Sequence, residues 1–223
     1  MTRIHDMGGR FGDGPVTPEP EGARVFAEAW HARALALTLA SGSLGQWTLD
    51  RSRHARERLA PADYATFTYY EKWVAALTDL LVETETITRA ELEGGETALS
   101  PLAGKRLASD TVPDVLSKGA PTDRRGPPPA FAVGDAVATR RPPRNDRITG
   151  GHTRLPAYAS GHIGNVIASH GSHVFPDTNA HALGEGPEPL YTVAFSARDL
   201  WGPDATQGDE VMLDLWQSYL KPA

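Results

Sequence analysis

An α+β chain with a helical first half and a β-rich second half is predicted by three observations. Apolar residues recur at helical spacing between residues 25 and 93, the period drops to two after Phe131, and a glycine- and proline-rich stretch separates the two patterns. With 223 residues and 40% hydrophobic content, the chain is long enough for one large domain or two small ones. The expected organisation is an extended arm over 1–22, a helical domain over 23–93, a connector over 94–130 and a β-barrel domain over 131–223.

The arm holds Gly8, Gly9, Gly12 and Gly14 with Pro15, Pro18 and Pro20. It carries too little apolar content to fold alone and is expected to lie across another surface. From Val25, residues Phe26, Trp30, Ala34 and Leu37 share one helical stripe, which Gly42 ends. A short helix is expected from about Leu49 to Leu59, ended by Pro61. Thr68-Tyr69-Tyr70-Glu71 is a capping box that starts a stronger helix, with Tyr70, Trp73, Leu77, Leu80 and Leu81 as its buried stripe. Thr88-Arg89-Ala90-Glu91 repeats the box and starts a brief helix. Between Gly94 and Ala130 there are few bulky apolar residues, so this length reads as a tether. Strands are expected at Ala136–Thr139, Gly161–Ala168, Leu190–Phe195 and Glu210–Leu215. Short strands in that number, opening with Val133-Gly134-Asp135-Ala136-Val137, suggest a small SH3-like barrel, whose closure would remove exposed edges.

The formal net charge of -6 argues against a general nucleic-acid binder, which needs a basic surface. There are no cysteines, hence no thiolate metal site and no cysteine nucleophile. The N-terminus lacks the apolar run of a signal peptide or membrane span, so a soluble cytoplasmic protein is expected.

No glycine-rich phosphate loop, nucleophile-elbow serine or metal-spaced histidine pair with glutamate is present. The five histidines between His152 and His181 lie among glycines and turns, a setting in which histidine is more often a hydrogen-bonded surface group than a ligand, and no metal site is assigned to them. Arginine is the richer signal, at 18 Arg against 4 Lys. Arg51, Arg53, Arg56 and Arg58 crowd one short helix, where Arg53 and Arg56 share a face and Asp50 and Glu57 cannot neutralise all four. A solvated helix face is one reading. The other is a guanidinium held toward an anionic group on a partner. Arg154 raises the same choice in the second half. Tyr70 reads as core, whereas Tyr69, rotated about 100° along the helix, is placed to offer an aromatic edge to a partner or ligand.

The whole chain resembles nitrile hydratase beta subunits. Ile4-His5-Asp6-Met7-Gly8-Gly9 is similar to the family's opening, and Arg53-His54-Ala55-Arg56-Glu57-Arg58 and Tyr69-Tyr70-Glu71 to its helical motifs. His152-Thr153-Arg154-Leu155-Pro156-Ala157-Tyr158, His173-Val174-Phe175-Pro176-Asp177, Leu190-Tyr191-Thr192-Val193, Leu200-Trp201-Gly202 and Asp214-Leu215-Trp216 follow in order. The resemblance implies hydration of nitriles to amides at a cobalt(III) or iron(III) centre held by cysteine sulfurs, two of them oxidised, on a separate alpha subunit. The assembly it implies is αβ or α2β2, with a small nitrile as substrate and no nucleic acid or membrane partner. The chain at hand would bind no cofactor itself. Two beta-subunit arginines that hydrogen-bond the oxidised sulfurs fall by motif on Arg53 and Arg154, and Leu49, Tyr69 and Trp73 would line the substrate pocket. Tryptophan at Trp73 resembles the cobalt-type subgroup more than the iron-type. The opening departs from the common pattern around Arg10 to Gly14, and Ser52 is smaller than the aromatic of some relatives, which bears on substrate size. A thiocyanate-hydrolase-like subunit is the runner-up, although there the helical and barrel parts reside on separate chains. The alternative from another class is an SH3-like nucleic-acid-binding module using Arg140, Arg141, Arg144 and Arg147.

Overall fold

A computed structural model describes residues 4–6 and 17–223. Most of the expected N-terminal arm therefore lies outside the described residues. The described chain divides into two compact units, one over residues 17–120 and one made of 4–6 with 121–223. No helix among the described residues is long and apolar enough to cross a membrane.

The first unit is helical. Helices α1 (Ala29–Gly42), α2 (Leu49–Glu57), α3 (Pro61–Thr66), α4 (Tyr69–Glu83), α5 (Arg89–Leu92) and α6 (Val112–Lys118) follow one another. Thr48 caps α2 by accepting a hydrogen bond from the Arg51 amide at 3.1 Å. The predicted capping boxes are present: the Glu71 carboxylate accepts from the Thr68 amide at 2.6 Å, and the Glu91 carboxylate accepts from the Thr88 amide at 2.7 Å. α4 packs against both α1 and α2, and between α4 and α2 lies a small core of Ala55, Ala76 and Leu80 closed by Trp47. Two expectations need correction. Trp30 and Leu37, assigned to the buried stripe of α1, are 36% and 53% exposed; the buried member of that helix is Ala34. Pro61 does not only end α2: it is the first residue of α3, where a missing amide hydrogen costs nothing.

The second unit is a six-stranded antiparallel sheet, with β1 (Asp123–Arg124), β2 (Ala136–Thr139), β3 (Ile163–His173), β4 (Glu188–Ser196), β5 (Glu210–Trp216) and β6 (Leu220–Pro222). Neighbours run β5-β4-β3-β2-β6, with β1 on β3. Short helices α7 (Pro176–Asn179) and α8 (Ala197–Trp201) interrupt the connections. The expected closed barrel is not formed: β5 and β6 are the two ends of the path and are not paired with each other. A single 3-10 turn, Gln217–Tyr219, lets the chain leave β5 and pair as β6 with β2 instead. Alternating inward residues Val166, Tyr191, Val193, Phe195 and Leu215 build the core with Val137, Leu155, Phe175 and Tyr219. β3 runs five residues beyond the expected Ala168, carried by two irregularities in its register with β4. Gly164 permits a close approach of β3 to β4, since a Cβ there would lie 2.7 Å from the Ala194 carbonyl oxygen.

Candidate functional site

In the helical unit, α2 and the start of α4 gather the predicted site residues. Arg53 Nη1 donates to Asp50 Oδ1 at 2.9 Å one turn earlier, and that carboxylate is almost buried. The anchor fixes one side of the guanidinium, while the Arg53 side chain stays 40% exposed. Its other donors meet no acceptor among the described residues. Arg51 and Arg58 instead reach across to Glu83 of α4, a neutralising group that the expectation of Asp50 and Glu57 alone had left out. Leu49 sits at the first turn of α2 and is half exposed. Tyr69 is exposed, as its rotation on the helix predicts, and its ring lies 5.6 Å from that of Trp73. Tyr70 turns the other way and stacks on His31 at 4.8 Å. The guanidinium of Arg56 lies over the Trp73 ring at 4.6 Å.

Arg154 belongs to the second unit. Its side chain is exposed and meets no acceptor among the described residues, while its backbone amide donates to the Tyr219 hydroxyl at 3.0 Å. A buried polar scaffold holds the segment around it. Asn145 Nδ2 donates to the carbonyls of His152 and Asp177, both at 2.7 Å, and Asn145 Oδ1 accepts from the amides of Arg147 and Ile148. The His152 amide donates to His181 Nε2 at 2.8 Å. Gly151 is required by this crowding, because a Cβ would lie 2.7 Å from His181 Nε2 and 2.9 Å from Asn145 Nδ2. The Tyr219 hydroxyl in turn donates to Asp177 Oδ1. Asp177 was visible in the sequence only as the last residue of a family-like motif, with no role, and Asn145 and Tyr219 were not visible at all, because none of the three lies on a periodic pattern that would mark it as part of a network.

Asp177 is 1% exposed. Burial pushes its carboxyl from the usual 3.8 up to about 7, against the pull of the Tyr219 hydroxyl and the Arg140 guanidinium. The same burial and the neighbouring carboxyl raise the Tyr219 phenol, so it stays a donor. A raised carboxyl favours the folded state while it is protonated. The contribution is fully present below about pH 4, where both states hold the proton, and is lost as the pH rises through about 7. Replacing Asp177 by Asn should remove that slope. In urea unfolding of the full chain, the variant should gain on the wild type between about pH 4 and about pH 7, by up to about 4 kcal/mol. Parallel stability profiles for the two proteins would contradict the assignment.

Two family descriptions match the chain: the N-terminal part of the nitrile hydratase beta subunit over residues 1–115 and its C-terminal part over 121–222. The low-molecular weight cobalt-containing nitrile hydratase subunit beta of Rhodococcus rhodochrous is 38% identical over 234 aligned positions that cover 100% of both chains. The nitrile hydratase subunit beta of Pseudomonas putida is 37% identical, again over 100% of both. The cobalt-containing nitrile hydratase subunit beta of Pseudonocardia thermophila is 33% identical over 99% of this chain and 96% of its own.

Proposed function

Because this chain belongs to the nitrile hydratase beta-subunit family, we propose that it completes a nitrile-hydrating site whose metal is held by a separate alpha subunit. The observation that carries the reading is the state of Arg53: one edge is fixed by Asp50 and the remaining donors are directed at nothing in the described chain. A guanidinium so prepared suits a fixed pair of anionic oxygens, such as oxidised cysteine sulfurs on a partner. Arg154, with its backbone clamped and its side chain exposed, is suited to the same task. Zero cysteines in this chain fit a division of labour in which thiolate ligation belongs to the partner. Once bound there, the metal, cobalt(III) in this reading, supplies Lewis acidity toward the nitrile.

The chain's own residues then do three things. Arg53 and Arg154 hold the sulfur oxygens in one orientation, as groups behind a metal's ligands do elsewhere. Leu49, Tyr69 and Trp73 form an apolar wall that takes the organic part of the nitrile and excludes bulk water. Exposed Trp30, Leu37, Tyr69 and Val74 leave the helical unit with apolar surface that its small core does not cover, which supports a large interface with the alpha subunit in an αβ or α2β2 assembly. The antiparallel order of the strands, with β6 returning to β2 through a 3-10 turn, supports an SH3-like frame for the second unit even though its ends do not pair. The arginine loop is partly neutralised within itself, since Arg140 and Arg144 share Asp146; this favours the enzyme reading over a nucleic-acid module.

The test is amide formation from a simple nitrile by this chain alone, by a matching cobalt-loaded alpha subunit alone, and by the two coexpressed. Turnover should appear only in the coexpressed pair, which should also copurify. Failure to associate with a matching alpha subunit, or turnover by this chain alone, would overturn the reading.

A further inference from the structure

We infer that Arg56 selects substrate, by giving the aromatic pocket wall a cationic spot that receives the carboxylate of an anionic nitrile. The inference rests on the proposed hydration reaction and goes beyond it by naming a substrate class. Of the four arginines on α2, Arg51 and Arg58 pair with Glu83, and Arg53 pairs with Asp50. Arg56 is the exception: it forms no ion pair among the described residues. Its only hydrogen bond there runs from Nη1 to Ser52 Oγ at 3.3 Å. It is partly enclosed, and burial draws its pKa below the usual guanidinium value. Tyr69 and Trp73 stand beside it, with the guanidinium 4.6 Å over the Trp73 ring and Tyr69 a further 5.6 Å ring to ring.

This placement has a chemical consequence. A guanidinium carries five N–H donors in a planar fork, and stacking on the indole occupies a face of the group and none of its donors. The donors left over lie at the edge of the guanidinium, next to the rings proposed to hold the substrate's tail. A carboxylate is the complement of that edge in charge and in geometry. An ammonium group at the same position meets repulsion from Arg56 and from Arg53 one turn away. The chain should therefore favour nitriles with an anionic tail over neutral ones, and neutral ones over cationic ones.

Three substrates with the same carbon spacing test it on the αβ pair: pentanenitrile, ω-cyanobutanoate and ω-aminobutanenitrile. For the wild type, kcat/KM should fall in the order anionic, neutral, cationic. In Arg56→Gln the anionic-to-neutral ratio should drop about tenfold, mainly through KM, because a charge-assisted hydrogen bond to a carboxylate is lost. Arg56→Lys should restore part of the ratio by keeping the charge without the fork. Butanoate, which has no nitrile, should compete with pentanenitrile in the wild type and do so more weakly in Arg56→Gln. An unchanged ratio in Arg56→Gln, or no charge order in the wild type, overturns the inference while leaving nitrile hydration in place. Absence of pentanenitrile hydration by the wild-type pair overturns the functional reading, and this inference with it.

Discussion

Replacing Arg53 by lysine is expected to lower nitrile hydration by the assembled pair by about a hundredfold, the upper range for a group that orients a metal's ligands. The reason is geometric. Arg53 is tied on one edge to Asp50 at 2.9 Å and offers the rest of a rigid fork outward. A lysine keeps the positive charge but presents one compact ammonium that cannot hold Asp50 and two partner oxygens in fixed directions together. The loss should lie mostly in kcat, since the arginine positions the reacting centre and does not line the apolar wall that binds the tail. Copurification with the alpha subunit and unchanged metal content would show that the variant assembles. A variant that keeps its full turnover would remove Arg53 from the site. Asp50→Asn should produce a weaker version of the same loss, because it slackens the anchor without removing the guanidinium.

Helix α2 shows how far the sequence could be read and where it stopped. The crowding of Arg51, Arg53, Arg56 and Arg58 and the excess over Asp50 and Glu57 are visible in the letters, because partners three or four residues apart share a face. Glu83 is not visible in that way. It sits 25 residues after Arg58, and only the packing of α4 on α2 brings it there. The same packing sets Trp73 against Arg56, so a helix face that reads as solvated charge becomes part of an aromatic site. Capping boxes were legible because they are local: Thr68 with Glu71 and Thr88 with Glu91 lie within one turn. Leu37 was misplaced because helical periodicity identifies a stripe but not which part of it other elements cover; Ala34 is covered and Leu37 is left out. β6 went unread since three residues ending in Pro222 carry no alternation to detect, and only its pairing with β2 defines it. The expected barrel closure failed for a related reason, as strand order and end pairing are properties of the fold and not of any single strand.

Asn145→Ala should destabilise the chain by about 3 kcal/mol and lower its thermal midpoint by roughly 10 °C, the cost of leaving buried backbone groups without partners. Asn145 is 5% exposed and acts from both ends of its amide. Its nitrogen satisfies the carbonyls of His152 and Asp177, and its oxygen satisfies the amides of Arg147 and Ile148. Alanine removes all four bonds and is too small to exclude water from the gap or to replace it with packing. Asn145→Asp should be no milder: one oxygen still accepts from Arg147 and Ile148, but the other, negatively charged, replaces the nitrogen that donates to two carbonyls. The consequence for function follows from position. The His152 carbonyl that Asn145 holds lies two residues before Arg154, and the Tyr219 hydroxyl holds the Arg154 amide from the other side. With Asn145 gone, the His152 carbonyl loses that side of the clamp, while the Tyr219 and His181 contacts are kept. Turnover of the pair should then fall even at temperatures well below the unfolding midpoint, through kcat more than KM. A midpoint within about 2 °C of the wild type would mean that solvent or rearrangement satisfies those groups, and that the scaffold does not set the position of Arg154.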